Sequence, residues 1–477
     1  MNRQTKKTKI VATVGPATAS KKMLNSIINQ GVNVIRVNFS HGSHEEHQLI
    51  IDRVRAINKE KGIHTAILAD LQGPKIRIGE VENGKISVEK GQTITFTTKD
   101  QQPKDKFTLY ISYPSFPKDV KKGERILIDD GKLSLEIVSS NQKDKVEAKM
   151  LNPGVISSKK GVNLPNTKIS LPSLTKKDKE DLQFALENDL EWIGLSFVRS
   201  GRDIIELKHL IQKSNRNSLV IAKIEKPEAI NNIEEIIDET DGLMVARGDL
   251  GVEIPMEKVP LLQKELVNRC LKAAKPVIIA TQMMESMISS ISPTRAEVND
   301  VANAVLDGAD AVMLSAETSV GKYPIKVIQA MSKIIQQIEE SEQIYHHEFP
   351  PELNEERFIS DSICYNACRL SQRTETKAIV SMTHSGYTAQ KLSSFRPKAG
   401  IYAFTGNHAL LNKLSLVWGV KGFYYDKYVS TDHTIADIKY LLKKHEFLKD
   451  KDLIINIASM PINEKGQSNM IKLSYID

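Results

Sequence analysis

Charged and hydroxyl side chains follow six short apolar runs of the sequence, each at the point where the run ends. The groups are Arg36 to His41, Asp70, Lys223 with Glu225, Arg247 to Asp249, Thr281 with Gln282, and Ser315 with Glu317. A solvated rim or an ion pair explains any one of them. Six together, with cations and acids interleaved, indicate an active site for a polyanionic substrate bridged by a divalent metal.

Two of these acids have the chemistry of metal ligands. Glu225 and Asp249 are hard carboxylates at the ends of adjacent runs, and we expect them to hold one Mg²⁺ (or Mn²⁺) that keeps water or substrate oxygens in its shell. Lys223 lies two residues before Glu225 and therefore on the same side of a strand. Its ammonium is expected where negative charge develops on a substrate oxygen.

The apolar runs recur with amphipathic segments between them, which is the pattern of βα units on a parallel sheet. Eight strands are predicted, at residues 9–14, 32–39, 65–70, 192–198, 219–225, 242–247, 276–281 and 311–315. The predicted fold class is therefore α/β, a (β/α)₈ TIM barrel. In such a barrel the carboxyl ends of the strands form the active site.

The gap between Asp70 and Trp192 is too long for one crossover. Within it, residues 84–88 and 92–96 alternate polar and apolar side chains, and residues 121–123 and 129–131 have turn composition. We predict a small inserted β-barrel at residues 73–170, flanked by barrel segments 1–72 and 171–345. A polar stretch at 345–356 marks the start of a C-terminal α/β domain, 346–477, with strands near 378–382, 400–404 and 453–458.

Composition excludes several classes of protein. The chain has 477 residues, is 40% hydrophobic and carries a net charge of +7. No apolar stretch approaches the length of a membrane span and no secretory signal begins the sequence, so the expected location is the cytoplasm, without a membrane partner. The three cysteines are too few for a disulfide framework; Cys364 and Cys368 lie one helical turn apart, and core packing is favoured over a metal site.

The strand ends resemble pyruvate kinases along nearly the whole chain. The matching strings are KIVATVGP at 9–16, VNFSHG at 37–42, MVARGDLGVEIP at 244–255 and PTRAE at 293–297. The resemblance implies transfer of the phosphoryl group of phosphoenolpyruvate to ADP, which gives pyruvate and ATP in glycolysis. It also implies a homotetramer.

The resemblance assigns roles to residues. Glu225 and Asp249 match the metal ligands, Lys223 the residue that stabilises the enolate, and Arg36 the phosphate contact. Gly248, Asp249 and Thr281 match the carboxylate-binding region, and Ser315 and Glu317 match members proposed to relay a proton. The matching nucleotide contacts are Asn38, Phe39, Ser40, His41, Arg77 and Lys177, and the inserted domain is expected to act as a lid hinged beside Gly73 and Pro74. Val320 replaces a lysine of many relatives, so one nucleotide contact is expected to be missing.

Lys75 departs from the pattern of potassium-dependent relatives, which carry an acid there. Its ammonium supplies the same single positive charge as K⁺, so we predict an enzyme that works without potassium. The predicted monovalent-cation region comprises Asn38, Ser40, Asp70, Leu71 and Lys75. The alternative is an exposed lid lysine without this role.

In the C-terminal domain, Thr383, His384, Ser385, Gly386 and Thr388 follow a strand and open a helix. Their hydroxyls and backbone N–H groups suit a phosphate, and relatives bind phosphorylated regulators in this region. Turn and cap chemistry explains the same residues. A phosphorylated small-molecule effector is therefore a prediction whose identity stays open.

Two other functions are alternatives. A metal-dependent aldolase or lyase of the phosphoenolpyruvate/pyruvate-binding barrels would also use Lys223, Glu225 and Asp249 on a pyruvate enolate, but the inserted lid disfavours it. An RNA-binding protein would need clustered basic residues with interleaved aromatics, whereas aromatics make up 5% of the chain and its charges are dispersed. No nucleic-acid partner is expected.

Overall fold

The computed structural model describes residues 6–103, 105–427, 430–460 and 466–477. Its centre is a closed barrel of eight parallel strands, which confirms the predicted fold class. The strands in chain order are Lys9–Thr13, Val34–Asn38, Ala66–Asp70, Trp192–Leu195, Leu219–Ile224, Gly242–Ala246, Val277–Ala280 and Ala311–Leu314. We call them the first to eighth barrel strands. Each lies inside its predicted range.

Helices surround the barrel, and their apolar faces pack on the strands in one continuous core. They are Lys21–Asn29, His44–Lys61, Lys176–Glu187, Gly201–Lys213, Pro227–Asn231, Ile233–Glu239, Arg247–Glu253, Val259–Lys272, Arg295–Leu306, Ala316–Ser319 and Pro324–Ile338. Several begin at a capping box, in which a hydroxyl residue and an acid three positions later satisfy each other's backbone N–H groups. Ser43 with Glu46 and Thr294 with Glu297 are examples.

The insertion between the third and fourth barrel strands is a β-domain with its own apolar core, from Ile76 to Leu164. Its strands are Lys85–Val88, Thr93–Thr97, Thr108–Tyr110, Arg125–Ile128, Leu133–Ser140, Lys145–Met150, Gly154–Ser157 and Val162–Asn163, with one short helix, Phe116–Asp119. Six of the strands form one sheet. Bridges from Arg77 to Gly161 and from Ile78 to Ile111 join its two edges, so residues 77–78 close the sheet into a small barrel.

The C-terminal domain has a five-stranded sheet, four strands parallel and the last antiparallel. The strands are Ala378–Met382, Gly400–Thr405, Val420–Tyr424, Leu453–Ala458 and Met470–Tyr475, and the helices are Phe358–Thr374, Tyr387–Ser394, His408–Lys413 and Thr431–Lys444. Three of the strands were predicted. Val420–Tyr424 and Met470–Tyr475 were missed because their half-exposed side chains lack a continuous apolar run.

A buried ion pair joins this domain to the base of the barrel. Arg396 is 1% exposed, and its NH2 lies 2.9 Å from Oδ2 of Asp310, directly before the eighth barrel strand. Oδ1 of Asp310 accepts the backbone N–H of Trp418 at 3.0 Å. Cys364 and Cys368 are buried in the domain core, as expected for packing residues. Within the described ranges, no helix combines the length and apolarity that crossing a bilayer requires.

Candidate active site

Lys223 is the centre of the charged cluster at the carboxyl ends of the strands. Its ammonium donates to Oγ of Ser196 at 2.6 Å and lies 3.0 Å from Oδ1 of Asp70 and 2.9 Å from Oε1 of Glu225. Burial would lower the pKa of Lys223, but the two carboxylates outweigh burial and raise the pKa. The side chain is therefore a fixed cation inside the barrel mouth.

Asp70 also holds Arg36, from the second barrel strand. Nε and NH2 of Arg36 each lie 2.6 Å from Oδ2 of Asp70, and NH1 donates to Oγ1 of Thr13 at 2.9 Å. Burial would raise the pKa of Asp70, but Lys223 and Arg36 outweigh it and hold the pKa below its usual range. One buried carboxylate thus fixes two cations, which places two positive charges side by side for an anionic substrate.

Glu225 and Asp249 are the predicted metal ligands. Glu225 is 2% exposed, and its Oε2 accepts the N–H of Phe197 at 2.8 Å. Burial raises the pKa of Glu225; Lys223 opposes this, and the nearby charge of Asp249 adds to it. Two carboxylates that repel each other at a buried site fit a divalent cation, which would relieve that repulsion. Among the described residues no three acidic, imidazole or thiol groups converge, so a cation held here would take its other ligands from substrate or water.

Thr281 and Gly248 meet where the sixth and seventh barrel strands end. The N–H of Gly248 donates to Oγ1 of Thr281 at 2.7 Å, and a Cβ at Gly248 would lie 3.3 Å from that oxygen. Thr281 and Gln282 both adopt the left-handed conformation, with φ of 69° and 56°. This is rare for a β-branched residue and persists only where the surroundings enforce it.

Arg247, for which the sequence predicts no role, holds Thr281 in this conformation. Its NH2 donates to the carbonyl oxygen of Thr281 at 2.8 Å, while its guanidinium pairs with both carboxylate oxygens of Asp300. The sequence predicts Arg247 at a strand end. It carries no pattern that indicates a role for Asp300, which lies on a helix more than fifty positions later.

Glu317 faces the backbone of two loops. Its Oε2 accepts the N–H of Ser315 at 2.6 Å, and its Oε1 accepts the N–H of Met284 at 3.2 Å. Burial raises the pKa of Glu317, and these backbone donors oppose the rise. The carboxylate therefore fixes the loops after the seventh and eighth barrel strands relative to each other. A proton relay through Ser315 and Glu317 stays a prediction.

The predicted nucleotide residues lie in two places. Asn38 to His41 follow the second barrel strand, and Lys177 reaches this loop by donating to the carbonyl oxygen of Phe39 at 2.7 Å and pairing with Asp181. Arg77 belongs to the inserted domain, where NH1 donates to the carbonyl oxygen of Lys159 at 3.2 Å. Val320 is exposed and contributes no charge.

Lys75 is half-buried and lines a small cavity between the inserted domain and the barrel, together with Asp249, Phe197 and Lys226. Within the described part of the chain, no ion pair joins it to Asp70, whose carboxylate is taken by Arg36 and Lys223. Leu71 is buried, and Oδ1 of Asn38 accepts the N–H of Ser40 at 3.1 Å. Asn38 and Asp70 are register partners on the second and third barrel strands. A role of these residues and Lys75 at a monovalent-cation site stays a prediction.

The inserted domain joins the barrel through two short segments. The N–H of Gly73 donates to Oδ1 of Asp178 at 3.0 Å, and this same carboxylate caps the helix Lys176–Glu187. On the return segment, Arg199 donates to the carbonyl oxygens of Ile169 and Leu171 at 2.7 and 2.8 Å. Residues 73–74 and 169–171 are called the hinge below.

Four of the five C-terminal candidates, Thr383, His384, Ser385 and Thr388, line a cavity of about 320 Å³ with Arg357, Ser459 and residues 466–468. Oγ1 of Thr383 accepts the N–H of Gly386 at 2.9 Å, and Thr388 shares a hydrogen bond with Ser468 at 3.0 Å. His384 and Ser385 lie on the cavity wall. The guanidinium of Arg357 covers the ring of Tyr387 at 4.2 Å and brings a positive charge to this cavity.

Comparisons with known proteins agree with this geometry. The pyruvate kinase barrel-domain model matches residues 5–328, and the pyruvate kinase alpha/beta-domain model matches residues 361–474. The chain belongs to the pyruvate kinase family. It is 42% identical over 476 residues to pyruvate kinase 2 of a Synechocystis species, covering 99% of this chain and 79% of that protein. It is 40% identical over 479 residues to pyruvate kinase of Geobacillus stearothermophilus, covering 99% and 80%.

A solved structure agrees as well. A pyruvate kinase from Cryptosporidium parvum superposes with a TM-score of 0.92 at 34% identity, covering 99% of this chain and 97% of that one. The chain is thus a phosphotransferase with pyruvate kinase function, whose substrates are phosphoenolpyruvate and ADP. Neither the aldolase or lyase nor the RNA-binding alternative is favoured by any of these matches.

Proposed function

We propose that the pyruvate kinase reaction of this chain is Mg²⁺-dependent, with Glu225 and Asp249 as metal ligands. The observation that carries the proposal is the buried trio of Lys223, Asp70 and Glu225. A divalent cation bound here would supply Lewis-acid polarisation of substrate oxygens. Mn²⁺ has the same ligand preference and should substitute for it.

The chain's own residues have distinct tasks in this reaction. Arg36 holds the transferring phosphoryl group, and Lys223 stabilises the negative charge that grows on the enol oxygen as that group departs. Gly248, Asp249 and Thr281 orient the substrate carboxylate. Asn38, Phe39, Ser40, His41, Arg77 and Lys177 bind ADP, while the inserted domain closes over the site and excludes water so that transfer outruns hydrolysis. Ser315 and Glu317 relay the proton that converts the enolate to pyruvate.

The test is ATP formation from phosphoenolpyruvate and ADP in a coupled assay. Lys223→Met should lower kcat by a factor of about 10²–10³, because its charge acts on the transition state. Lys213→Met, an exposed helix lysine, is the matched control and should leave kcat unchanged. Equal activity of the two variants would overturn the role of Lys223.

Potassium independence through Lys75 is a second part of the proposal. Its support is a half-buried lysine that lines the same cavity as Asp249. Wild-type turnover in buffer free of K⁺ and Na⁺ should therefore equal turnover with K⁺. Lys75→Glu should make turnover depend on K⁺, whereas Lys85→Glu, an exposed lid lysine, should not. A large activation of the wild type by K⁺ would contradict the proposal.

Regulation by a phosphorylated metabolite at Thr383, His384, Ser385, Gly386 and Thr388 is a third part. The cavity holds hydroxyls, a helix N-terminus and the Arg357 cation, which together suit a phosphate. Sugar phosphates or AMP should raise the rate at subsaturating phosphoenolpyruvate, and Ser385→Ala should reduce that response. A rate that none of these compounds changes would leave the cavity without this role.

The proposed assembly is a homotetramer in the cytoplasm. Its support is a set of large apolar side chains exposed on the barrel and on the C-terminal domain, among them Met256 and Leu261 at 75% and 73% exposure and Ile359 at 65%. Where such side chains form a contiguous patch, a partner subunit commonly covers them. Light scattering coupled to size-exclusion chromatography should give four times the mass of one chain, and a monomer would contradict the proposal.

A further inference from the structure

One acidic residue of the barrel, Glu253, forms a hydrogen bond with the inserted domain. Nδ2 of Asn163, on the last strand of the inserted domain, donates to Oε1 of Glu253 at 2.8 Å. Outside the hinge, and among the residues that the structure describes, this is the one side-chain hydrogen bond between the two domains. Outside the hinge, docking of the lid on the barrel therefore depends on Glu253 more than on any other described side chain.

The same oxygen of Glu253 pairs with a buried lysine. Nζ of Lys226 lies 2.5 Å from Oε1, and the two side chains are 8% and 1% exposed. A buried ion pair of this kind has a narrow range of geometries, because separating its charges leaves each without compensation. The two chain segments that carry Lys226 and Glu253 are thus held at a fixed separation.

Those two segments carry the proposed metal ligands. Lys226 directly follows Glu225, and Glu253 ends the short helix Arg247–Glu253 that contains Asp249. The lysine also lies 5.9 Å from the ring of Phe197, whose backbone N–H binds Glu225. Movement of Glu253 would therefore change the separation between the Glu225 and Asp249 carboxylates.

We propose that Glu253 is a positioning residue that couples lid docking to divalent-cation affinity. Its ion pair with Lys226 sets the spacing of Glu225 and Asp249, and its hydrogen bond with Asn163 holds the lid on the barrel. Coupling between two binding events is reciprocal. A docked lid therefore strengthens cation binding, and a bound cation strengthens docking of the lid. This inference rests on the proposed metal site.

The main test removes only the hydrogen bond between Glu253 and the lid. Asn163→Ala deletes the hydrogen bond but leaves the ion pair intact, and Asn152→Ala is its matched control, since Nδ2 of Asn152 bonds only within the lid. Mn²⁺ binding is measured by electron paramagnetic resonance of the free ion, without substrates. Asn163→Ala should weaken Mn²⁺ binding by about five-fold or more. Asn152→Ala should bind Mn²⁺ as the wild type does.

Hydrogen exchange provides the reciprocal measurement. Mn²⁺ should slow backbone exchange at residues 162–164 in the wild type and in Asn152→Ala, and should have no such effect in Asn163→Ala. In kinetics, Asn163→Ala should raise the half-activating Mn²⁺ concentration and the KM for ADP while kcat at saturation is kept. Equal Mn²⁺ affinity in the two asparagine variants would overturn the coupling.

A second variant tests Glu253 itself. Replacing both partners, Lys226→Met with Glu253→Leu, avoids a lone buried charge and so keeps the fold. It should weaken Mn²⁺ binding at least as much as Asn163→Ala; unchanged binding would refute positioning by Glu253. Glu225→Gln distinguishes a failure of the proposed metal site from a failure of the coupling. If Glu225→Gln leaves Mn²⁺ affinity intact, the proposed metal site is wrong; if it weakens binding and Asn163→Ala does not, only the coupling is wrong.

Discussion

Arg247 and Asp300 form a two-pronged ion pair, with NH1 2.6 Å from Oδ1 and NH2 2.7 Å from Oδ2. The pair links the start of the helix Arg247–Glu253 to the helix Arg295–Leu306. Because NH2 also binds the carbonyl oxygen of Thr281, the pair holds the strained loop after the seventh barrel strand against Gly248. It therefore supports the region proposed to bind the substrate carboxylate, without being part of it.

Arg247→Met should lower kcat/KM for phosphoenolpyruvate by about 10–100-fold, because misplacing a positioning group by about 1 Å costs rates of that order. Asp300→Asn keeps one acceptor and the Thr281 contact, so its loss should be smaller. Arg269→Met is the control, since Arg269 pairs with Glu265 at the surface of a neighbouring helix. Steady-state kinetics with the three variants distinguishes them; a loss in Arg269→Met as large as in Arg247→Met would contradict this role.

Gly73→Ala should destabilise the fold and lower activity. Gly73 has φ of +70°, and a Cβ there would lie 2.8 Å from Cβ of Ser196, the residue that binds Lys223. The positive φ alone costs about 1 kcal/mol, and the clash adds about 1–3 kcal/mol. Gly84→Ala, with φ of +78° and open space, isolates the first contribution. Denaturant midpoints and kcat/KM should fall more for Gly73→Ala, and equal effects would argue against the clash.

The buried ammonium of Lys9 should make stability rise with pH. Burial lowers the pKa of Lys9 from 10.5 to about 8. The charge of Lys421 adds to this shift, and the carboxylates of Glu339 and Asp310 oppose it. Between these values the unfolded chain holds one more proton than the folded chain, so the unfolding free energy increases by about 1.4 kcal/mol per pH unit. Below pH 8 both states are protonated and this contribution is constant.

The measurement compares denaturant midpoints between pH 8 and pH 10.5. Lys9→Met should reduce the slope of the rise, because its own ammonium is no longer buried. Lys6 and Lys7, whose pKa values burial lowers to about 7, supply the remainder. Lys22→Met, on an exposed helix position, should keep the slope of the wild type. A Lys9→Met protein with the wild-type slope would show that another group titrates.

Arg396→Met should loosen the C-terminal domain from the barrel. It leaves Asp310 buried without its cation, which costs about 3–5 kcal/mol. Lys398→Met removes an exposed pair with Glu342 and should cost less than about 1 kcal/mol. The guanidinium of Arg396 lies 4.8 Å from the Trp418 ring, so Trp fluorescence reports on this interface. An emission spectrum and midpoint unchanged by Arg396→Met would contradict the prediction.

The sequence predicted the barrel well because each of its strands is buried on both faces and appears as a continuous apolar run. The predicted ends were one to three residues too long, as for 32–39 against Val34–Asn38, since apolar side chains continue past the last ladder hydrogen bond. The edge strand Val420–Tyr424 was missed because Lys421 and Gly422 interrupt its pattern.

Residues that act through distant partners could not be predicted. Ser196 lies in a predicted strand, but only the folded barrel brings its hydroxyl to Lys223. Asp300 and Glu253 lie on helices, where their charges have the ordinary composition of a solvated face. Their contacts depend on three-dimensional placement, for which one sequence carries no local signal.

The third barrel strand ends at Asp70, and its neighbour in the sheet, Trp192–Leu195, is synthesised only after residues 71–191. The insertion has an apolar core of its own, so it can become compact while the barrel is still an open sheet. Once folded, it brings its entry and exit segments close together and shortens the effective loop that barrel closure must overcome. A mutation that destabilises the insertion core is therefore expected to slow assembly of the barrel during synthesis, even where no barrel residue has changed.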